Sequence, residues 1–243
     1  MVTNWRTGRR RNWLSYWKTN EQARVAILII WVIAVKIIPM RLIATIFFCL
    51  IFLLGYSQNT TCLKVHFLYG SKPLKKYKDI ERKWFGGVLG GHVGIEGDSD
   101  KIVNFVPAGE FHLFAKKHNR HSRFAVHSFD NFYAIMGGAP DSMKKAIVFI
   151  PVTAEQKAKF DSITTEYLQH TPYDYAFWGM RCGGAAYDIL GQLNILPHYS
   201  YRKTYRKIFY PKKLRKRLFK KANQNGWLIM KQDGSSRRKW EQD

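Results

Sequence analysis

The sequence predicts an α+β fold. Runs rich in strand-forming residues lie between residues 63 and 152, and helical periodicity dominates most of the chain after residue 152. Hydrophobic residues make up 46% of the 243-residue chain and aromatic residues 15%, which is typical of a chain with a packed core. Strands grouped before helices favour a compact α+β domain over alternating strand and helix units.

The predicted strands are bounded by turn residues. The clearest pair is a hairpin of residues 92–96 and 101–107, because Gly97-Asp98-Ser99-Asp100 separate two strand-like runs. The other predicted strands are residues 63–69, 123–129 and 146–152.

Three helices are predicted after the strands. The first covers residues 154–169, because Thr153 and Gln156 have the spacing of a capping box before apolar residues at helical spacing. The second runs from Cys182 to Leu193, and the third covers residues 211–222. The expected inner face of the second helix is Ala185, Ala186, Ile189, Leu190 and Leu193.

The N-terminal part of the chain is apolar but interrupted. Residues 26–56 contain Lys36, Pro39 and Arg41, so neither half reaches the roughly 20 residues that cross a bilayer. From Met40 the chain has a basic start, an apolar stretch and small residues, which is the pattern of a secretory signal peptide. In that case Met40 is the true start and the mature chain begins near Gln58.

The alternative is that Met1 is the true start. The basic N-terminal stretch then stays on the cytoplasmic side, and residues 25–56 form an anchor or tight hairpin. Both alternatives place the following domain at the cell envelope. We therefore expect a signal or anchor segment over residues 1–57, a folded domain over 58–225 and a disordered basic tail over 226–243.

The chain is strongly basic, with a formal net charge of +23. Such a field attracts anionic lipid, wall polymer or nucleic acid. No recognised base-reading motif is present, so no nucleic-acid partner is expected. The basic stretch 202–221 is interleaved with apolar residues that can dock on the domain, which leaves its cations outside. These cations either form a solvated basic face, which is the commoner case, or contact an anionic membrane or wall polymer, which is the functional alternative.

The three cysteines leave the role of Cys182 open. Cys49 lies in the apolar segment, so Cys62 is the one available partner for a disulfide with Cys182. Cys182 is otherwise a buried filler or a nucleophile. The N-terminus of a helix lowers the pKa of a thiol, and Cys182 is predicted to begin one.

His92 is the best candidate base, because it begins a predicted strand beside Gly90 and Gly91, where small residues leave room for a substrate. Glu96 shares its face, but four residues of strand separate the two by about 13 Å. With a three-residue turn at 97–99, Asn104 lies directly opposite His92, about 5 Å away. An even-numbered loop would place Phe105 there instead.

No metal site and no cofactor are predicted. His118 and His121 form an HxxH pair, but no acidic residue lies at ligand spacing in the sequence. His112 and His127 cluster with this pair in a polar loop and the strand after it, whereas His66, His170 and His198 have no evident partner.

His92 in "GGHVGIEGD", Asn104 about a dozen residues later and Cys182 after "PYDYAFWGMRC" together resemble the circularly permuted branch of the papain-like, NlpC-type superfamily. This branch includes lecithin:retinol acyltransferase-like proteins and bacterial permuted amidases. The resemblance covers about residues 63–195 and implies a barrel-like antiparallel sheet packed against the helix that bears the nucleophile.

The resemblance also implies roles for individual residues. Cys182 is the nucleophile, His92 the base and Asn104 the orienting residue, and Tyr173 or Tyr175 matches the aromatic position that lines the site. Apart from the resemblance, Gly91 and Gly183 are expected in the substrate and oxyanion site because a glycine lets a substrate approach the backbone closely, and close helix packing is the alternative for Gly183. The implied function is an exported or membrane-anchored cysteine hydrolase or acyltransferase that acts on an amide or ester bond of an envelope peptide or lipid. The alternative is an inactive binding module of the same fold, because Arg181 precedes Cys182 and Gly183 and Gly184 follow it, where the family often has a polar or acidic residue.

Overall fold

The computed structural model describes residues 61–84, 86–97, 100–118 and 120–243. These belong to a compact unit, Thr60–Asp243. The expectations for the signal or anchor segment and for the start at Met40 fall outside the described residues. No helix within the described ranges is long and apolar enough to cross a membrane.

The domain has an α+β architecture around an antiparallel sheet of six strands, as the strand-then-helix pattern predicted. The strand order is β6-β4-β3-β1-β7-β9, and every neighbouring pair is antiparallel. The strands are β1 (Cys62–Tyr69), β3 (Gly91–Glu96), β4 (Ile102–Pro107), β6 (Ser122–His127), β7 (Lys145–Pro151) and β9 (Ile229–Gln232).

The expectation of a barrel-like sheet is wrong, because the sheet is open. Strands β6 and β9 form its two edges and do not pair with each other. Two small additional sheets lie beside it. Strand β2 (Ser71–Pro73) pairs with β10 (Arg238–Trp240), and β5 (His112–Phe114) pairs in parallel with β8 (Ala176–Trp178).

Five α-helices lie within the described residues. They are α1 (Phe129–Ala134), α2 (Ala154–Gln169), α3 (Cys182–Gln192), α4 (Tyr201–Lys207) and α5 (Pro211–Asn225). The predicted capping box of α2 is present, since Thr153 and Gln156 exchange side-chain to backbone hydrogen bonds of 3.1 Å. Helix α3 is buried along nearly its whole length, because it packs against β3, β4, α4 and α5.

The two faces of the central sheet differ in polarity. One face carries apolar residues such as Phe67 and Phe105 and packs against the helices and their neighbouring loops. The other carries buried polar residues, including His66, Glu96 and Asn104, and α1 covers part of it. Because side chains alternate along a strand, the polar set lies on one face, where its members can reach each other.

The segment 226–243, expected to be a disordered basic tail, is ordered. Strand β9 extends the central sheet beside β7, and β10 pairs with β2. Trp240 packs edge-on against Trp84 at 5.5 Å between ring centroids, and Glu241 pairs with Arg215 at 2.8 Å. Composition alone suggested a solvated tail, whereas these distant partners supply the apolar and ionic contacts that order it.

The basic stretch 202–221 forms α4 and α5 and docks through its apolar residues. Ile208, Leu214 and Leu218 are buried, and most of the lysines and arginines point outward. Arg215 is the exception: it is fully buried, with its guanidinium 3.7 Å from the centre of the Tyr69 ring. The stretch therefore presents a basic outer surface on a firmly packed helix pair.

Candidate active site

Cys182 is the first residue of α3 and is 3% exposed. It is a free thiol, and so is Cys62, which lies on β1 opposite Pro151. The structure therefore does not contain the alternative disulfide between them.

The backbone of His92 and that of Asn104 are not directly opposite, contrary to the sequence-based register. Asn104 pairs with Gly94, because residues 97–101 separate the paired strands, two more than predicted. Both loop lengths are odd, so Asn104 keeps the face that it shares with His92. The two side chains are diagonal neighbours, and His92 Nε2 lies 2.8 Å from Asn104 Oδ1.

The hydrogen bonds of the Asn104 amide determine which way it faces. Its nitrogen donates to the carbonyl oxygens of Ala125 at 3.1 Å and Ile102 at 3.3 Å, so its oxygen is left to face His92. His92 must then donate from Nε2. Its other ring nitrogen, Nδ1, is then the one left for an interaction with the Cys182 thiol.

His127 extends this chain of contacts and was not identified from the sequence. Its Nδ1 lies 2.8 Å from Asn104 Nδ2, because Ala125 pairs with Asn104 and His127 is two residues further on the same face. Burial and the neighbouring charge of His92 lower the pKa of His127. His127 therefore remains a neutral acceptor that holds the Asn104 amide in place.

The electrostatics favour an ion pair between Cys182 and His92. Burial opposes the charged form of each group, but the mutual attraction and hydrogen bonding of thiolate and imidazolium outweigh it. The pKa of Cys182 is consequently lowered and that of His92 raised. Arg181 adds to the effect, since its positive charge also lowers the pKa of the Cys182 thiol.

Tyr175 lies against the sulfur, as one of the two predicted aromatic positions. Its hydroxyl is 4.0 Å from Cys182 Sγ. Burial and the charge of Cys182 raise the pKa of Tyr175 well above its usual value, so the hydroxyl stays protonated. It can therefore donate to an oxygen that becomes negative beside the sulfur.

Tyr173, the other predicted aromatic residue, has a different environment. Its hydroxyl donates to Asp188 at 2.5 Å and contacts Tyr167 at 3.3 Å, so it belongs to a polar cluster between α2 and α3. The tyrosine nearest the sulfur is two residues later, where a bridge between Tyr175 and Met180 closes the loop before α3.

The two glycines assigned to the substrate site are accounted for by packing. A Cβ on Gly91, whose φ is +100°, would lie 2.5 Å from the carbonyl oxygen of Leu68. A Cβ on Gly183 would lie 3.2 Å from the backbone of Pro211, so this glycine allows the start of α5 to approach α3. Neither position needs a substrate to explain the absence of a side chain.

Glu96 has a separate buried contact set. It lies 2.8 Å from His66 and 2.5 Å from Lys64, and His66 also contacts the Tyr133 hydroxyl at 3.0 Å. His66 had no evident partner in the sequence, because the partners come from β3 and α1. The Glu96 carboxylate therefore pairs with two residues of β1.

The two histidines of the HxxH pair noted in the sequence, His118 and His121, do not face each other. His118 is exposed, whereas His121 faces His112, with 3.1 Å between the nearest ring nitrogens. Glu110 lies beside both.

The described part of the chain is thus an α+β domain in which a histidine is hydrogen-bonded to an asparagine and interacts electrostatically with a buried cysteine at the start of a helix. No protein-family model matches the chain, and no curated protein or solved structure matches it at a significant level.

Proposed function

We propose that this protein is a cysteine hydrolase or acyltransferase of the circularly permuted papain-like kind. The observation that best supports the proposal is the 2.8 Å contact between His92 Nε2 and Asn104 Oδ1, which leaves Nδ1 for Cys182. A nucleophile, a base and a residue that orients the base are the groups that acyl transfer requires. The order in the chain, with the histidine strand before the cysteine helix, is the order of the permuted branch.

In the proposed reaction, the Cys182 thiolate attacks the carbonyl carbon of an amide or ester, and the Tyr175 hydroxyl donates to the carbonyl oxygen as it becomes negative. The His92 imidazolium gives its Nδ1 proton to the leaving nitrogen or oxygen as that bond breaks. This leaves a thioester on Cys182. Water or an acceptor hydroxyl or amine then attacks the thioester while His92 removes its proton, which restores the ion pair.

A peptide or lipid of the cell envelope is the proposed source of the scissile bond. This part of the proposal depends on the signal or anchor pattern of residues 26–56 and on the net charge of +23, which favours anionic surfaces. Envelope localisation is proposed on the same grounds, and no nucleic-acid ligand is proposed because the sequence has no recognised base-reading motif.

A small activated ester tests the reaction without knowledge of the natural substrate. We expect p-nitrophenyl acetate at pH 7 to acetylate Cys182, as detected by mass spectrometry of the acid-quenched protein. Cys182→Ala should show no adduct at this position, and Cys62→Ser should be labelled like the natural chain. A folded chain that neither acquires an acetyl group on Cys182 faster than on Cys62 nor releases p-nitrophenol faster than Cys182→Ala would contradict the proposal.

The second candidate function is an inactive binding module of the same fold. It is favoured by the low exposure of the site, since Cys182 is 3% and His92 5% exposed. Absence of both acetylation of Cys182 and p-nitrophenol release above that of Cys182→Ala in a folded chain would favour this function.

The basic surface of α4 and α5 should bind anionic membranes. We expect the fragment Gln58–Asp243, which contains the compact unit Thr60–Asp243, to bind vesicles of phosphatidylcholine and phosphatidylglycerol more tightly than neutral vesicles. A basic side chain near such a surface contributes about 1 kcal/mol, and salt screens it over about 10 Å at 0.1 M. Sedimentation with vesicles at several salt concentrations measures the effect.

Two sets of five substitutions to glutamine distinguish binding through this surface from binding that depends only on the net charge of the protein. The test set consists of exposed residues of the helix pair, namely Arg202, Lys203, Arg206, Lys213 and Lys216. The control set has the same charge change elsewhere, at Lys72, Lys75, Lys76, Lys78 and Lys83. Affinity should fall at least about tenfold more in the test set, and equal losses in both sets would rule out a specific membrane-binding surface.

A further inference from the structure

We propose that Glu110, His112 and His121 form a binding site for a divalent transition metal ion, best suited to zinc. Two imidazoles and a carboxylate are a common zinc donor set with a fourth position left for water. The proposal is independent of acyl transfer, because none of these residues contacts Cys182 in the interactions described above.

The geometry of the three donor atoms fits one ion. His112 Nε2 and His121 Nδ1 are 3.1 Å apart, and Glu110 Oε2 lies 3.7 Å from the first and 3.6 Å from the second. A point equidistant from these three atoms lies about 2.0 Å from each, which matches zinc–nitrogen and zinc–oxygen bonds of about 2.0–2.2 Å.

Asp174 prepares His112 for this role. Its fully buried carboxylate lies 2.5 Å from His112 Nδ1 and also accepts backbone N–H groups from Lys116 at 2.9 Å and His121 at 3.2 Å. His112 must donate from Nδ1, so the lone pair of Nε2 points toward Glu110 and His121. A carboxylate behind a ligating histidine is the usual outer partner of a zinc ligand.

A direct hydrogen bond between the two imidazoles is the competing explanation. It accounts for the 3.1 Å separation of the ring nitrogens, but it gives no reason for Glu110 to approach both rings equally. Separations of 3.6 and 3.7 Å exceed an ordinary hydrogen bond and are close to the usual spacing of two ligands on one ion. Metal binding therefore explains all three distances together.

The site adjoins the candidate active site along the chain. His112 on β5 pairs with Ala176 on β8, the residue after Tyr175, and the rings of Phe111 and Tyr175 are 6.0 Å apart. A bound ion would join the loop before β6 to β5, which in turn pairs with β8 next to Tyr175. Its expected effect is to stabilise this junction, with the fourth position open to water.

Zinc binding to the untagged full chain in detergent tests the proposal. Cys49, Cys62 and Cys182 are first replaced by serine, because free thiols bind zinc themselves. After treatment with a chelator, we expect one zinc ion per chain in competition with a chromophoric chelator. Cobalt in place of zinc should show the strong visible absorption of a four-coordinate site with nitrogen and oxygen ligands.

Single substitutions in the same background locate the ion. His121→Ala and Glu110→Ala change partly exposed side chains and should weaken zinc binding at least about 100-fold and tenfold, respectively, while Asp174→Asn should weaken it about 10–100-fold. His118→Ala, an exposed histidine of the same loop, is the matched control and should leave the affinity unchanged. Absence of stoichiometric binding, or equal affinity in the His121→Ala and His118→Ala chains, would overturn the proposal.

Discussion

Replacing His92 by alanine should slow the alkylation of Cys182 by iodoacetamide at pH 6.5 by at least about 100-fold, since each unit of pKa changes the thiolate fraction about tenfold. In the natural chain, His92 lowers the pKa of Cys182 against the opposing effect of burial. Without the imidazolium, burial remains, so the pKa of the thiol should rise above its ordinary value. The pH at which Cys182 becomes reactive should therefore move upward.

Cys62 provides an internal reference for this measurement. Burial raises its pKa, so it should react appreciably only at higher pH than Cys182 in the natural chain. Peptide mass spectrometry reports both residues in one sample. Equal pH profiles for Cys182 in the natural and His92→Ala chains would show that no ion pair activates the thiol.

Asn104→Ala and His127→Ala should shift the same profile less than His92→Ala and in the same direction. Asn104 contacts the His92 imidazole at 2.8 Å and orients it, and His127 contacts the Asn104 amide at 2.8 Å and holds it in place. Asn104 therefore acts on Cys182 through His92, and His127 acts through Asn104 and His92. His198→Ala is the matched control, because its side chain is 57% exposed and it lies beside Asp188. A purely structural role for Asn104 or His127 would lower stability without moving the pH profile.

Replacing Glu241 by alanine should lower the free energy of unfolding by about 3–5 kcal/mol, because it leaves the buried guanidinium of Arg215 without its closest partner. The side chains of Arg215 and Glu241 are 1% and 2% exposed, with 2.8 Å between Nη2 and Oε2. Urea unfolding monitored by tryptophan fluorescence measures the loss. Asp243→Asn is the control: Asp243 contacts the same arginine at 3.1 Å but is 38% exposed, so its loss should be smaller.

A double substitution separates the strength of this pair from the cost of leaving one charge unpaired. Burial raises the pKa of Glu241 despite the attraction of Arg215, which indicates that desolvation offsets much of the Coulombic gain. Arg215→Met combined with Glu241→Met should therefore recover most of the stability lost in Glu241→Ala. A double variant as unstable as the single one would show that the ion pair itself stabilises the fold.

The sequence by itself determined the features that depend on nearby residues. The capping box at Thr153 and Gln156 sets the start of α2, and helical spacing placed Cys182 at the start of α3. The sequence predicted the shared face of His92 and Asn104 on the condition that the loop has an odd number of residues, and the structure meets that condition. These features depend on spacings of a few residues to about a dozen.

The tertiary structure alone decided features that depend on distant partners. The hairpin register moved by two residues, and the approach of β6 brought His127 to Asn104. The open edge of the sheet at β9 and the order of the C-terminal segment depend on β7, β2 and Arg215, far away in the sequence. Local sequence patterns do not predict such contacts, because the free energy that stabilises them comes from burial between residues far apart in the sequence. For the same reason, the meeting of Glu110, His112 and His121 before the carboxylate of Asp174 was visible only in three dimensions.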